Sequence, residues 1–381
     1  MTPTDLTPSP SPSPRPSPAQ PFGRFFLPGP TEVRPEILQA QVRPMIGHRA
    51  RAMEELLGRM QPLLQYLFRT RRLVYVSTSS ATGLMEAAVR NGARRRVLSL
   101  VNGAFSERFF RIARACGFET SALEVPLGHG HTPEMLEDAL RAGDYDTITV
   151  VHSETSTGVL DPIAELASVA HNAGDVALLV DSVSALAGTP VETDAWGLDF
   201  VLTGSQKALA LPPGLALGVA QETILKRAER NPARGVYFDF LEFEKNLAKN
   251  QTPNTPAVSL LYALDAQLQR IREETLERRI ERHAAMARRT WEWVDAMRDR
   301  GIGLEVLAPP GFRSPTVTCI RLPEAMKGSE ISARMRERGF TIASGYGPLK
   351  DTTIRIGHMG DHTVEELNEL LAILEHVVTK S

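Results

Sequence analysis

From about residue 73 to residue 220 the chain repeats one pattern: a short run of β-branched and aliphatic residues, a turn, then a stretch with helical periodicity. The runs fall at 73–76, 97–101, 121–125, 147–152, 177–183, 200–203 and 215–220, with helical stretches such as 106–116, 132–142 and 162–173 between them. Several runs, VALLVD among them, are apolar without alternation, as a strand covered on both faces must be. Such an alternation of β and α predicts a doubly wound, mostly parallel α/β sheet. After TPNTP (252–256) the character changes. One long charged helix is predicted over 258–300, its apolar residues on one stripe. A strand (316–322), a helix (329–338), short strands near 341–343 and 353–356 and a helix (363–378) opening on a Thr-Val-Glu-Glu capping box follow. The expected organisation is a large domain over 22–257 and a smaller C-terminal α+β domain over 258–381, entered through the long helix.

Composition narrows the partners. A net charge of −2 gives no electrostatic reason to bind nucleic acid or an anionic membrane. No apolar stretch approaches the roughly 20 residues of a membrane span. The two cysteines, Cys116 and Cys319, are far apart and in no metal-ligand spacing, which suits a reducing compartment. The expectation is a soluble, cytoplasmic protein without a metal. Residues 1–21 differ from the rest: 8 prolines alternate with serine, so almost nothing there could enter a core, and no apolar signal-peptide region exists. A disordered tail is expected, with a proline-recognition ligand as the alternative.

The common nucleotide, metalloprotease and serine-hydrolase signatures are absent. His129 and His131 in LGHGHTPE read as loop histidines, because no carboxylate is spaced to complete a metal site. Some other ligand must therefore occupy the carboxyl ends of the strands. Three features sit there. Ser77-Thr-Ser-Ser-Ala-Thr-Gly follows the strand LVYV and opens a helix, so free backbone N–H groups could cradle a phosphate; simple helix capping is the alternative. Asp181 ends the buried run VALLVD, where a carboxylate needs a partner: a protonated pyridine nitrogen, or else an N-cap or an arginine. Lys207, in TGSQKAL, follows the strand DFVLTG amid apolar sequence, where desolvation would lower its pKa towards that of a Schiff-base nucleophile; an exposed turn lysine is the alternative.

Six segments in order carry a resemblance: PGPT (28–31), HSETSTGVLDP (152–162), DSVSALAGTPVETDAWGLDF (181–200), TGSQKAL (203–209), TPNTPAVSLLYAL (252–264) and RIGHMG (355–360). They resemble the class V, fold-type I pyridoxal-5′-phosphate (PLP) aminotransferases, and within them the alanine–glyoxylate and serine–glyoxylate (serine–pyruvate) group. The likeness covers nearly everything beyond the proline-rich start. It implies a mostly parallel seven-stranded sheet and a homodimer with shared active sites. It also implies that Lys207 carries PLP and moves the substrate proton, that Asp181 partners the pyridine nitrogen and that Phe105 stacks on the ring. Ser80, Ala81, Thr82 and Gln206 would hold the phosphate, with Thr252 and Thr255 reaching it from the other subunit. Thr155 would bond the 3′ oxygen, Arg355 would clamp the substrate carboxylate, and Gly29 of PGPT, with the segment 47–49, would line the substrate pocket. The chain departs from many relatives in having Ser79-Ser80-Ala81 where they have glycines.

The implied activity is ping-pong transamination between a small amino acid, alanine or serine, and a 2-oxo acid, glyoxylate or pyruvate. Rival readings are another class V activity (lyase, desulfurase or epimerase-like) and a non-catalytic protein of the same fold. A desulfurase needs a mobile-loop cysteine and usually a histidine before the lysine, whereas here Gln206 precedes Lys207.

Overall fold

The computed structural model describes residues 22–379; the expected tail at 1–21 lies outside the described residues. In chain order the strands are β1 (Tyr75–Ser77), β2 (Arg96–Val101), β3 (Glu119–Glu124), β4 (Thr147–Val151), a small hairpin of β5 (Ser153–Glu154) and β6 (Val159–Leu160), β7 (Ala177–Asp181), β8 (Phe200–Gly204), β9 (Ala216–Ala220), β10 (Glu305–Val306), β11 (Val317–Arg321), β12 (Ala343–Ser344) and β13 (Thr353–Gly357). The helices are α1 (Pro35–Ala40), α2 (Arg51–Phe68), α3 (Ala81–Gly92), α4 (Ala104–Ala115), α5 (Pro133–Ala142), α6 (Ile163–Asn172), α7 (Glu222–Glu229), α8 (Phe240–Leu247), α9 (Val258–Glu274), α10 (Leu276–Asp299), α11 (Gly328–Glu337) and α12 (Val364–Thr379).

Seven strands form one sheet in the order β1-β9-β8-β7-β4-β2-β3. Only β9 runs against the others, pairing antiparallel with both β1 and β8. Both faces are covered, as the unbroken apolar runs require. Along β7, Leu178 and Val180 pack into the layer of α2, α5, α6 and α9, while Ala177 and Leu179 pack into the layer of α3, α4, α7 and α8. Each fully buried leucine or valine of this kind contributes about 1.5–3 kcal/mol through the water it leaves.

A second, antiparallel sheet has the order β10-β11-β13-β12. Trp293 of α10, Met335 of α11 and Leu370 and Leu374 of α12 form a core with its Ile320 and Ile354. The start of the described chain joins this unit: Phe26 is buried in the same core and Phe25 bridges to Thr341.

One expectation fails. The single helix predicted over 258–300 is two helices, broken at Thr275, whose φ of 68° and ψ of 145° no helix allows. Tertiary contacts hold the break. The Thr275 hydroxyl caps α10 by accepting the Arg278 amide at 3.3 Å, the Leu276 amide donates to the Tyr66 hydroxyl at 2.8 Å, and Glu274 accepts from Arg279 and Arg282 at 2.8 and 2.7 Å. No glycine or proline marks the place, so periodicity runs straight through it. No described helix is long and apolar enough to cross a membrane.

Candidate active site

The sheet register brings the three sequence features to one edge. Ser77 at the end of β1 and Gly204 at the end of β8 both pair with Ala216 of β9, so the two strands finish level, about 10 Å apart. Asp181 ends β7, the neighbour of β8. Loops bearing Ser80–Thr82, Asp181 and Gln206–Lys207 therefore leave together from the carboxyl edge, where open α/β sheets bind ligands.

Ser80 occupies the N-cap of α3, yet its hydroxyl makes no capping bond. The Ala81 and Thr82 amides have no partner among the described residues and stand at the positive end of the helix dipole. An anion could take both amides.

Asp181 is buried, and one carboxylate oxygen accepts the Val183 amide at 2.8 Å. No basic side chain among the described residues pairs with it. Burial pushes its acid up to about 7, the Val183 amide opposing; Glu154 adds to the rise, while Lys207 and Arg108 pull against it. A buried carboxylate in this state is short of a cation, as a protonated pyridine nitrogen would be.

Lys207 is also buried, so the exposed-turn alternative does not hold. Its Nζ donates to the Pro28 carbonyl and lies 5.7 Å from the centroid of the Phe105 ring. Burial, then the Arg355 charge, lowers the amine to about 8 against the pull of Asp181 and Glu154. At pH 7 about a tenth of such an amine is neutral, hundreds of times more than for an ordinary lysine. Thr31 anchors the turn: its amide donates to the Gln206 carbonyl at 2.9 Å and its hydroxyl to the Lys207 carbonyl at 3.1 Å. Gly29 sits against the lysine with φ +110°, and a Cβ there would lie 2.5 Å from Lys207 Nζ. PGPT and TGSQKAL are thus two sides of one pocket.

Phe105 opens α4, and its ring lies 5.8 Å from that of Tyr346. The Thr155 hydroxyl bonds that of Ser184 at 2.5 Å. Arg355, on β13 of the second sheet, donates through Nη1 to the Thr155 carbonyl at 3.2 Å and through Nε to the Ser344 carbonyl at 3.1 Å. Its Nη2 has no partner among the described residues. Burial lowers its pKa, but a guanidinium remains charged. Both sheets therefore contribute to the site.

Gln206 flanks the lysine, and its side-chain oxygen lies close to Gly204. Thr252 and Thr255 lie in the 252–256 segment. The Thr252 hydroxyl donates to the Asn254 carbonyl at 2.7 Å, and Arg49 of the 47–49 segment donates to the carbonyls of Thr252 and Pro253 at 2.7 and 3.2 Å. The segment packs beside Ser77 and Thr78 of its own chain, with Thr255 exposed.

Sequence reading overlooked several members. Glu154 sits inside the motif HSETSTG, and a charged residue between apolar strands was the available signal. Tyr346 gave none. His131 stands in the loop before α5, as read, but it is buried: its ring bonds Asp161 at 3.1 Å and the Leu123 carbonyl at 3.0 Å, and Asn102 joins the same carboxylate at 3.0 Å. That partner is 30 residues away, beyond any spacing rule. No group of three or more His, Cys, Asp or Glu among the described residues could hold a metal ion.

A cavity of about 510 Å³ lies at the opposite edge of the sheet, lined by Arg90, Arg94, Asp175, Arg227 and Arg230 among others. Its buried guanidinium, Arg227, is already engaged by Gly92, Asp146, Thr147 and Asp175. It holds the ends of elements together.

Residues 53–369 match the family model described as aminotransferase class V. An uncharacterised aminotransferase of Methanocaldococcus jannaschii is 37% identical over 92% of this chain and 91% of its own length. A serine–glyoxylate aminotransferase of Methylorubrum extorquens is 33% identical over 91% of this chain and 87% of its own. Among solved structures, an alanine–glyoxylate aminotransferase from Nostoc superposes with a TM-score of 0.88 at 28% identity, covering 95% of this chain and 97% of that one.

Proposed function

The chain belongs to the class V aminotransferases and is PLP-dependent, and on that premise we propose that it transfers the amino group of a small amino acid, alanine or serine, to glyoxylate or pyruvate by a ping-pong mechanism. The observation that carries this reading is the meeting of a buried lysine, a buried carboxylate without a cation and a half-free arginine at one strand edge. These residues fit the cofactor: Lys207 to hold it covalently, Asp181 to face its ring nitrogen, and the open amides of Ala81 and Thr82, with Ser80 and Gln206, to take its phosphate. Phe105 would cover the ring and Thr155 would meet its 3′ oxygen. Bound PLP supplies the electron sink that accepts the pair left when the substrate Cα proton departs.

The chain's own groups do the rest. Arg355 receives the substrate α-carboxylate on a guanidinium already oriented by the Thr155 and Ser344 carbonyls. Lys207, as a neutral amine, would take the substrate Cα proton, a role its lowered pKa supports. Gly29 and Phe105 stand close to the Lys207 amine and Tyr346 to Phe105, bulk that supports a small substrate side chain. Relatives named for glyoxylate transfer support the acceptor.

The unit is further proposed to be a homodimer, with a large domain at 22–257 and a smaller one at 258–381. Val42, Met45, Val236 and Tyr237 are exposed, and Tyr237 bonds the Thr78 carbonyl beside the 252–256 segment. A second subunit covering this surface would let Thr252 and Thr255 complete its phosphate site. The unpaired Cys116 and Cys319 suit the cytoplasm. Desulfurase chemistry lacks a nucleophile: burial pushes the Cys319 thiol up to about 11 and raises that of Cys116.

Purified protein with PLP should show a visible absorption band, bleached by borohydride and missing in Lys207→Ala. A panel of amino donors tested against glyoxylate and pyruvate should give the highest kcat/KM for alanine or serine with glyoxylate or pyruvate as acceptor. A protein that forms the band but releases ammonia or sulfide without transferring nitrogen would overturn the transaminase reading.

A further inference from the structure

We propose that Glu154 is a positioning residue of this site: its buried carboxylate replaces the N-cap side chain that α4 lacks and fixes Phe105 beside the Lys207 amine. The proposal rests on Lys207 being the cofactor-bearing residue.

The N-cap of α4 is Gly103, which has no side chain to offer the first-turn amides. Those of Phe105 and Ser106 donate instead to Glu154 Oε2, at 3.0 and 2.9 Å, and the Ser106 hydroxyl joins them at 3.1 Å. The other oxygen, Oε1, accepts the Ser156 amide at 3.0 Å and its hydroxyl at 2.6 Å. Five donors thus converge on one carboxylate that is fully buried and has no ion-pair partner among the described residues. Such a charge survives burial only where hydrogen bonds and a dipole face it, and here the N-terminus of α4 supplies both.

Gly103 is an independent mark of the same contact. Its φ of 172° is extended backbone open to any residue, so conformation does not require glycine. Space does: a Cβ there would lie 2.5 Å from Glu154 Cγ and Cδ and from the Ser156 hydroxyl. The glycine of NGAFSER is therefore the complement of the glutamate of HSETSTG.

A mere cap would stop at the helix. This one reaches the site. Phe105, one of the two capped amides, carries the ring 5.7 Å from Lys207 Nζ. The Glu154 charge is also felt by the site: it raises the pKa of Asp181, of Lys207 and of Arg355. Both effects predict consequences at the cofactor that a structural cap does not.

The test compares wild type, Glu154→Gln, Gly103→Ala and Lys207→Ala. It reads PLP affinity by titrating the cofactor-free protein, the pH midpoint of the visible band, and the circular dichroism of that band, which reports ring orientation. Removing a negative charge from beside the lysine should move the midpoint of Glu154→Gln down by about 0.5–1 in pH and weaken PLP binding about tenfold. Gly103→Ala, which displaces Phe105 but keeps the charge, should lose dichroism and affinity with less change in midpoint. A Glu154→Gln protein of lowered thermal stability but unchanged midpoint and dichroism would reduce Glu154 to a structural cap. So would a Gly103→Ala protein with wild-type dichroism and affinity, whatever the folding yield of Glu154→Gln. A visible band persisting in Lys207→Ala would instead overturn the assignment of the lysine, an outcome distinct from either.

Discussion

Replacing Asp181 by asparagine should stabilise the cofactor-free protein near neutral pH while weakening its grip on PLP. Burial holds this acid at about 7 against an ordinary 3.8. Each tenfold change in proton affinity corresponds to about 1.4 kcal/mol, so ionising the carboxylate in the empty site costs on the order of 4 kcal/mol. The sign follows from proton counting. Between pH 3.8 and about 7 the unfolded chain has released this proton and the folded one still binds it. Stability therefore falls as pH rises through that window, and the full penalty is present above it. Asparagine does not titrate. Any packing cost of the amide is independent of pH and drops out of the slope, and the Lys207 amine, at about 8, titrates above the window. Denaturant unfolding of both cofactor-free proteins from about pH 4.5 to 7.5 should show the variant gaining on wild type by about 3 kcal/mol. With PLP bound this advantage should disappear, because removing one partner of a buried ion pair costs about 3–5 kcal/mol, at least a hundredfold in affinity. A stability difference that stays flat across this pH range, or PLP affinity equal to wild type, would refute the reasoning.

Three further substitutions probe the surroundings. Gly29→Ala forces a side chain into φ +110° and against the end of Lys207, so the fraction of protein carrying PLP, read from the visible band, should fall at least tenfold. Arg355→Lys replaces a fork with a point charge; kcat/KM should drop by about 2 kcal/mol, roughly thirtyfold, for donors and acceptors alike, with PLP content unchanged. Arg279 is fully buried between Asp361 at 2.9 Å, Glu274 at 2.8 Å and the Ala208 carbonyl, so Arg279→Met should cost about 3–5 kcal/mol in denaturant unfolding. Adding Asp361→Asn should recover part of that loss, since it removes the stranded charge.

The sequence alone was sufficient for the class of fold. Runs such as ALLVD, apolar on both faces, can only be central strands, and turns and helical periodicity between them leave little but a doubly wound parallel sheet. It also singled out Asp181 and Lys207 as candidates, the first ending an apolar strand and the second in the turn after the next one. What it could not supply was proximity. Gly29 and Lys207 are 178 positions apart and Gly103 and Glu154 are 51 apart, yet each pair meets so closely that a single Cβ would collide. Periodicity and spacing are properties of neighbouring residues. Which strand lies beside which, and so which loops share an edge, is settled by burying both faces of the whole sheet at once. The same collective packing breaks a periodic helix at Thr275 through Tyr66 and two arginines, and brings Phe25 and Phe26 from the start of the chain to the second sheet. Burial likewise holds the Asp181 acid near 7 and the Lys207 amine near 8, because desolvation depends on everything packed around a group and not on its neighbours in the chain.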